Sequence, residues 1–375
     1  MERQRAVHRV AVVYAPDLSG ERHRHEQVTQ AKLAARLAAL NECDFAGEYN
    51  PSADHLHSIY FVPNDTLVGI EQARALGIEG EDDLFGAVVP HPFVATKVIS
   101  HPLVEPGARA PEGWSVDFGQ RVQAAVLPGF SAFTPGDARR AGESLLRRGS
   151  LRLKPALARG GLGQVVVTGT VGLEAALDRL DTSELVEHGI VLEENLTEVT
   201  TYSVGQVRTA GMVASYWGTQ HLTADNAGSA VYGGSDLFVV RGDFEALLRF
   251  EAPEETRMAV AQARTYDAAA FECFPGMLAS RRNYDIARGR DAAGHWRSGV
   301  LEQSWRMGGA SGAEIAALEA FRANPGLHAV HACTVERYGE GFTLPHGATL
   351  YFQGADERVG PMIKYAMVKP HANQG

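Results

Sequence analysis

Apolar runs of strand length alternate with amphipathic helical patterns over the first ninety residues. Val10–Tyr14 reads as a buried strand, and Glu21–Leu40 carries alanine and leucine at helical spacing. Ile59–Val62 is a second strand, Thr66–Leu76 a second helix and Leu84–Val89 a third strand. Strands alternating with helices predict a parallel sheet with crossover connections. The pattern then changes: His91–Gly136 is rich in proline and glycine but keeps aromatic and apolar residues, as a connection carrying functional loops would. Next come a helix over Asp137–Arg148, strand Leu151–Lys154, a glycine loop, strand Val165–Thr168, helix Leu173–Asp181 and strand Ile190–Glu193, together a compact α+β unit. From Val199 the chain is strand-rich, with neighbours predicted at Thr200–Thr209 and Gly211–Gly218, a helix at Glu254–Glu272, and a hairpin around Arg288–His295. Ser311, with Glu314 three residues on, has the capping-box pattern and opens a helix to Phe321. Thr334–Gly375 has strand-like pieces without a clear place.

A chain of 375 residues is long for one domain and predicts two or three lobes. The divisions fall at 1–95, 96–189, 190–333 and 334–375, the last an extension packed on the core. The net charge of −10 argues against binding to nucleic acid, which calls for lysine and arginine against phosphate. Cys43, Cys273 and Cys333 are far apart and outside any metal spacing, so they are expected to be buried thiols in a reducing cytoplasm. No apolar run approaches the roughly 20 residues of a membrane helix. The fourteen histidines, His23, His25 and His101 among them, form no compact zinc motif.

Two segments carry the candidate chemistry. In Leu151–Gln164, Lys154 precedes a loop with Gly160, Gly161 and Gly163. A compact ammonium and glycines that let backbone N–H groups approach an anion suit phosphate. The lysine precedes the glycines, which excludes a Walker loop; a lid between antiparallel strands fits, as does an ordinary hairpin. In the second segment Glu302, Ser304 and Arg306 alternate and so share a strand face. A turn centred between Ala293 and Gly294 places Asp285 opposite Glu302, and two adjacent carboxylates call for a cation. Arg306 leads through Gly308–Gly312 into the capped helix, whose bare N–H groups make an anion site. Glu193, Glu194 and Glu198 follow a strand and could accept from an adenine amino group or ribose hydroxyls.

The order of these pieces resembles the ATP-grasp superfamily of carboxylate–amine and carboxylate–thiol ligases over roughly Thr96–Phe321. Lys97 and Lys154 look like the family's two phosphate lysines. Leu192-Glu193-Glu194-Asn195-Leu196 resembles its hinge strand, which implies adenine contacts at Glu193, Glu194 and the Leu196 backbone, with Glu198 nearer the ribose. Glu302-Gln303-Ser304-Trp305-Arg306 resembles the metal strand E-x-N-x-R, with serine in place of asparagine and Asp285 as the acidic partner. The chain also resembles an uncharacterised bacterial ATP-grasp-like family known only as a domain of unknown function. The resemblance implies an α/β protein of ATP-grasp architecture: an N-terminal parallel-sheet lobe and two α+β lobes clamping the nucleotide. It implies ATP with one or two Mg2+ ions, which Mn2+ could replace, held by Asp285, Glu302 and Ser304. The expected activity is ligation through an acyl phosphate, with Arg306 and Lys154 catalytic; the alternatives are a kinase or phosphotransferase, or a catalytically degenerate nucleotide-binding regulator. The expected partners are a small-molecule carboxylate and a nucleophile, with no nucleic acid or membrane and with homodimerisation left open.

Overall fold

The computed structural model describes residues 9–15, 23–52, 58–158 and 163–369. The chain starts with β1 (Arg9–Tyr14), α1 (Arg24–Leu40), β2 (Asp44–Glu48) and β3 (Ser58–Pro63), which form a parallel sheet in the order β2-β1-β3. Leu33, Ala34, Leu37 and Ala38 on α1 recur at helical spacing and are buried. The sequence pattern missed β2, because its half-exposed DFAGE has little apolar content. The helix expected from Thr66 begins later, after β4 (Leu67–Val68), as α2 (Ile70–Ala75). The third expected strand departs from the first sheet: Leu84 touches Phe61 in a single bridge, and β5 (Ala87–Val89) pairs with β4 instead. Once β5 leaves, the first sheet keeps three strands.

The proline-rich connection is packed and ordered. Two 3-10 turns, Pro92–Ala95 and Lys97–Ser100, and α3 (Val116–Val122) insert Phe93, Val94, Val98 and Phe118 into the main core. A small lobe follows: β6 (Gly129–Ala132), α4 (Pro135–Leu146), β7 (Leu151–Pro155), β8 (Val165–Val167), α5 (Thr170–Leu177), α6 (Thr182–His188) and β9 (Ile190–Glu194). Its antiparallel sheet has the order β6-β9-β7-β8. Thr134 caps α4, its hydroxyl accepting from Asp137 N at 3.1 Å with Pro135 in the first turn. The helix expected at 173–181 is α5, which starts earlier and ends at Leu177; an unexpected second helix, α6, follows, with Asp181 accepting from the Ser183 and Glu184 N–H groups at its start.

The remainder builds one antiparallel sheet from β10 (Thr197–Thr209), β11 (Met212–Ala224), β12 (Ala230–Arg241), then, after α7 (Phe244–Leu247) and α8 (Glu254–Cys273), past β13 (Leu278–Ala279), β14 (Arg281–Arg290) and β15 (Trp296–Ser304). After α9 (Ser311–Ala323), β16 (Ala329–Tyr338), β17 (Thr349–Asp356) and β18 (Gly360–Lys369) complete it. The order is β15-β14-β10-β11-β12-β16-β18-β17, so the unplaced tail extends the large sheet. Ala259, Val260, Ala263 and Tyr266 of α8 share a core with Val204, Tyr284 and Ile286. Ile315, Leu318 and Phe321 of α9 share another with Leu33 and Leu37 of α1, which seats the first lobe on the large sheet. The two-residue β13 pairs antiparallel with β5 and ties these lobes again. Cys333 is buried as expected, whereas Cys43 and Cys273 are half-buried; all three are free thiols.

Candidate functional site

The β14–β15 hairpin sets the geometry. Near the turn Arg290 faces Trp296 and Ile286 faces Val300, which centres the turn on Ala293, half a residue earlier than expected. Carried straight on, that register would put Leu301 opposite Asp285. A bulge at Leu301 adds one residue, so Asp285 stands opposite Glu302, Tyr284 opposite Gln303 and Asn283 opposite Ser304. The predicted pair of carboxylates is therefore present, but the bulge produces it. Asp285 Oδ1 accepts from Gln220 Nε2 at 2.7 Å and Asn283 Nδ2 at 3.0 Å. Burial, and then the charge of Glu302, push the Asp285 carboxyl up to about 6. Two oxygen donors in this condition suit a hard divalent cation.

Lys97 and Glu302, predicted as separate phosphate and metal groups, are in contact: Lys97 Nζ lies 2.8 Å from Glu302 Oε2 and also donates to the Ala158 carbonyl. Gln303, on the opposite strand face, fixes this arrangement. Its Nε2 donates to the carbonyls of Val94 (2.9 Å) and Thr96 (2.7 Å), and its Oε1 accepts from Tyr266 OH at 3.0 Å. The Lys97–Ser100 turn is thereby held against the strand that carries Glu302. Nothing in the sequence marked Gln303, which looks like an ordinary polar residue between charged neighbours.

Lys154 at the end of β7 is buried and pairs with Glu193 of β9; His101 Nε2 lies 3.2 Å from the other Glu193 oxygen. Burial pushes the Glu193 carboxyl up, but Lys154 and His101 outweigh it and hold the group below the usual range. Both side-chain oxygens of Glu193 are thus engaged inside the small lobe. Of the lid glycines, Gly163 adopts a positive φ of 68°, whereas Gly160 and Gly161 lie outside the described residues.

Beyond Glu193 the chain passes between the lobes. Leu196 packs with Leu127, Ala287 and the bulged Leu301 in a small apolar cluster. Gly299 permits this: an added Cβ would lie 2.4 Å from Leu127 N and 2.6 Å from Val126 C, where Val300 N also donates to Ala125 O at 2.8 Å. Glu194 is half-buried, with Arg297 Nε 3.8 Å from its carboxylate; burial raises its pKa. Glu198 lies farther out, at a φ of 51°, paired with Arg290 at 3.1 Å.

The segment from Ser304 to the helix differs from expectation. No capping box forms: Ala310 is the N-cap of α9 without a side-chain bond, and Ser311 Oγ accepts instead from Gly308 N at 3.1 Å. Glu314 is fully buried and receives Arg281 in bidentate fashion at 2.9 and 2.8 Å, with Tyr216 OH at 2.5 Å. A buried guanidinium outcompetes the helix N-terminus for this carboxylate. The expected bare N–H groups are largely engaged, since Ser311 N bonds Gly308 O, and Ala313 N and Glu314 N bond Ala310 O. Arg281 also donates to Ser304 O at 2.9 Å, to Ser304 Oγ at 3.4 Å and to Arg306 O. Arg306 itself stands 3.5 Å from Asp65 Oδ1 and donates to Met307 O at 3.0 Å. Asp285, Glu302, Lys97 and the apolar cluster thus line the junction of the lobes.

A family model described as "Protein of unknown function (DUF3182)" matches residues 13–366. Comparison with curated proteins finds no match. Solved structures do match in shape. The ADP complex of purK, an N5-carboxyaminoimidazole ribonucleotide synthetase, aligns with a TM-score of 0.52 and 13% identity over 97% of this chain and 93% of its own. The N5-carboxyaminoimidazole synthetase of Staphylococcus aureus with ADP aligns at 0.54 and 11%, over 98% and 94%. Biotin carboxylase of Campylobacter jejuni aligns at 0.51 and 10%, over 96% and 87%. These are ATP-grasp structures, and this chain has the ATP-grasp fold. Among the described residues no helix is long and apolar enough to cross a membrane.

Proposed function

This chain belongs to the DUF3182 family, a family of unknown function, and from that premise and its ATP-grasp fold we propose that it is an ATP- and Mg2+-dependent ligase acting on a small-molecule carboxylate. The observation that carries this reading is the carboxylate pair Asp285 and Glu302, with Lys97 against Glu302, at the junction of the lobes. The oxygen donors and the raised Asp285 carboxyl fit a hard divalent ion, and Asp285 and Glu302 would hold it. When bound, Mg2+ neutralises charge on the terminal phosphates. Ser304 is the weaker third donor, because its hydroxyl faces the Arg281 cation.

The nucleotide base would rest on Leu196, Leu127, Ala287 and Leu301, with Glu193, Glu194 and Glu198 along the hinge. Lys97 and Lys154 would take phosphate oxygens. A substrate carboxylate oxygen would then attack the γ-phosphorus while the bond to the β–γ bridging oxygen breaks, giving an acyl phosphate and ADP. Arg306 would stabilise charge on the transferring group. Attack by an amine or other nucleophile on the acyl carbon releases phosphate.

The arrangement at Ser304 favours one second reading, a nucleotide-binding regulator without turnover. Release of ADP, measured over a panel of carboxylates and amines, separates the two. The ligase reading expects ADP release that requires both substrates and falls about 100-fold or more in Glu302→Gln. Tight ATP binding with no turnover on any pair would leave the regulator. A phosphorylated product that survives without a nucleophile would mean a phosphotransferase.

A further inference from the structure

His23-Arg24-His25 lies at the start of α1, far from the carboxylate pair in sequence and in role. His23 is the extended residue before the helix (φ −62°, ψ 140°) and His25 is the second helical residue. This conformation puts both rings on one side, stacked with centroids 5.3 Å apart. They meet Asp356, the last residue of β17, across the whole length of the chain: His25 N donates to Asp356 Oδ2 at 3.0 Å, and His23 Nδ1 stands 3.6 Å from Asp356 Oδ1. His25 is 5% exposed and Asp356 4%. One ligand atom from each of the three lies within 4.8 Å of the others.

One feature asks for more than a turn cap. Among the described residues, Nδ1 of His23 and Nδ1 of His25 are buried without a hydrogen-bond partner, a costly condition for imidazole nitrogens. Asp356 accepts from the backbone N–H groups of His25, Arg358 and Val359. Capping the β17–β18 turn accounts for the Arg358 and Val359 bonds of Asp356; it does not account for His25 N on the same carboxylate or for the two ring nitrogens left without a partner.

We propose that His23, His25 and Asp356 form a binding site for a divalent transition-metal ion that fastens the first helix to the last hairpin. Two imidazoles and one carboxylate are the donor set of zinc and its neighbours, whereas Mg2+ takes oxygen alone. Ligand atoms on tetrahedral zinc lie about 3.3 Å apart. Binding would have to draw the three atoms in from their present spread of up to 4.8 Å. A fourth position remains for water. The site is independent of the ligase reading, because it shares no residue with the nucleotide cleft.

The test uses the full chain without a polyhistidine tag. After treatment with chelator it is titrated with ZnCl2 alone by calorimetry, in excess Mg2+ to occupy oxygen-only sites, and retained zinc is counted by elemental analysis. One zinc per chain is expected, with a rise in melting temperature. His23→Ala, at the most exposed of the three, and Asp356→Asn, which keeps an acceptor for the turn, should each weaken binding at least about 10-fold. Circular dichroism confirms that both variants fold. No zinc bound by the unsubstituted protein, or equal binding by folded His23→Ala, overturns the proposal.

Discussion

Lys154, Glu193 and His101 form a buried polar group whose members depend on one another. Glu193→Gln would leave the Lys154 ammonium buried without its counter-charge. Breaking a buried pair in this way costs about 3–5 kcal/mol. The Glu193 carboxyl is held low in the folded state, so its stabilisation is present above the unfolded glutamate pKa of about 4.3 and is lost as pH falls through the folded value. The variant is therefore expected to melt well below the unsubstituted protein at neutral pH, with the gap narrowing in acid. Melting curves over a pH series check this, and equal stability at neutral pH would refute it. Lys154 and Glu193 were legible one by one as residue types in a pattern. Their mutual contact was not, because β7 and β9 are adjacent in the sheet but separated in sequence by two helices and a strand. Gln303 had no signal at all; its meaning lies in the Val94 and Thr96 carbonyls that fold against it.

At the scale of elements, the β14–β15 hairpin and the segment crossing it decide where the site lies. Gly299 is where residues 126–127 pass over the strand, and the atoms that an added Cβ would meet are backbone, which cannot yield cheaply. Gly299→Ala is expected to cost about 1–3 kcal/mol through overpacking. It should also weaken ATP binding several-fold, as Leu127 is displaced from Leu196 and Leu301. Thermal unfolding and calorimetry with ATP measure the two effects; a variant unchanged in both would show that the crossing has no such role. Most long elements were legible from period and length, as α8 and β10 show. The α9 cap was misassigned because a local motif cannot reveal that Arg281 claims Glu314. The bulge at Leu301 was hidden as well, because an extra residue in one strand of a pair leaves no mark in the local pattern.

For the whole molecule, β17 and β18 matter more than their glycine-rich sequence suggested. β18 covers β16 from His331 to Tyr338, and α9 packs closely enough that a Cβ on Gly312 would meet Thr334 and Ala366 side chains. Arg36 of α1 reaches Glu319 and Thr349, so the first lobe also depends on this end. A chain ending after Tyr338 is expected to be insoluble, since it exposes a long strand edge and the apolar face of α9. Soluble yield and size-exclusion behaviour test it, and a monodisperse product that binds ATP would refute it.

The residue types and their order determined much by themselves: alternating elements at the start, a lysine before a glycine loop, and an acid, a hydroxyl and a guanidinium at alternate positions of one strand. These properties are local, set by periodicity and by side-chain chemistry. Only the tertiary structure decided that the third N-terminal strand joins another sheet, that the tail completes the large one, and that Glu314 serves Arg281. It also decided how Asp285 comes to face Glu302. The extra residue at Leu301 belongs to the pairing of the two strands, and a count from the turn does not contain it.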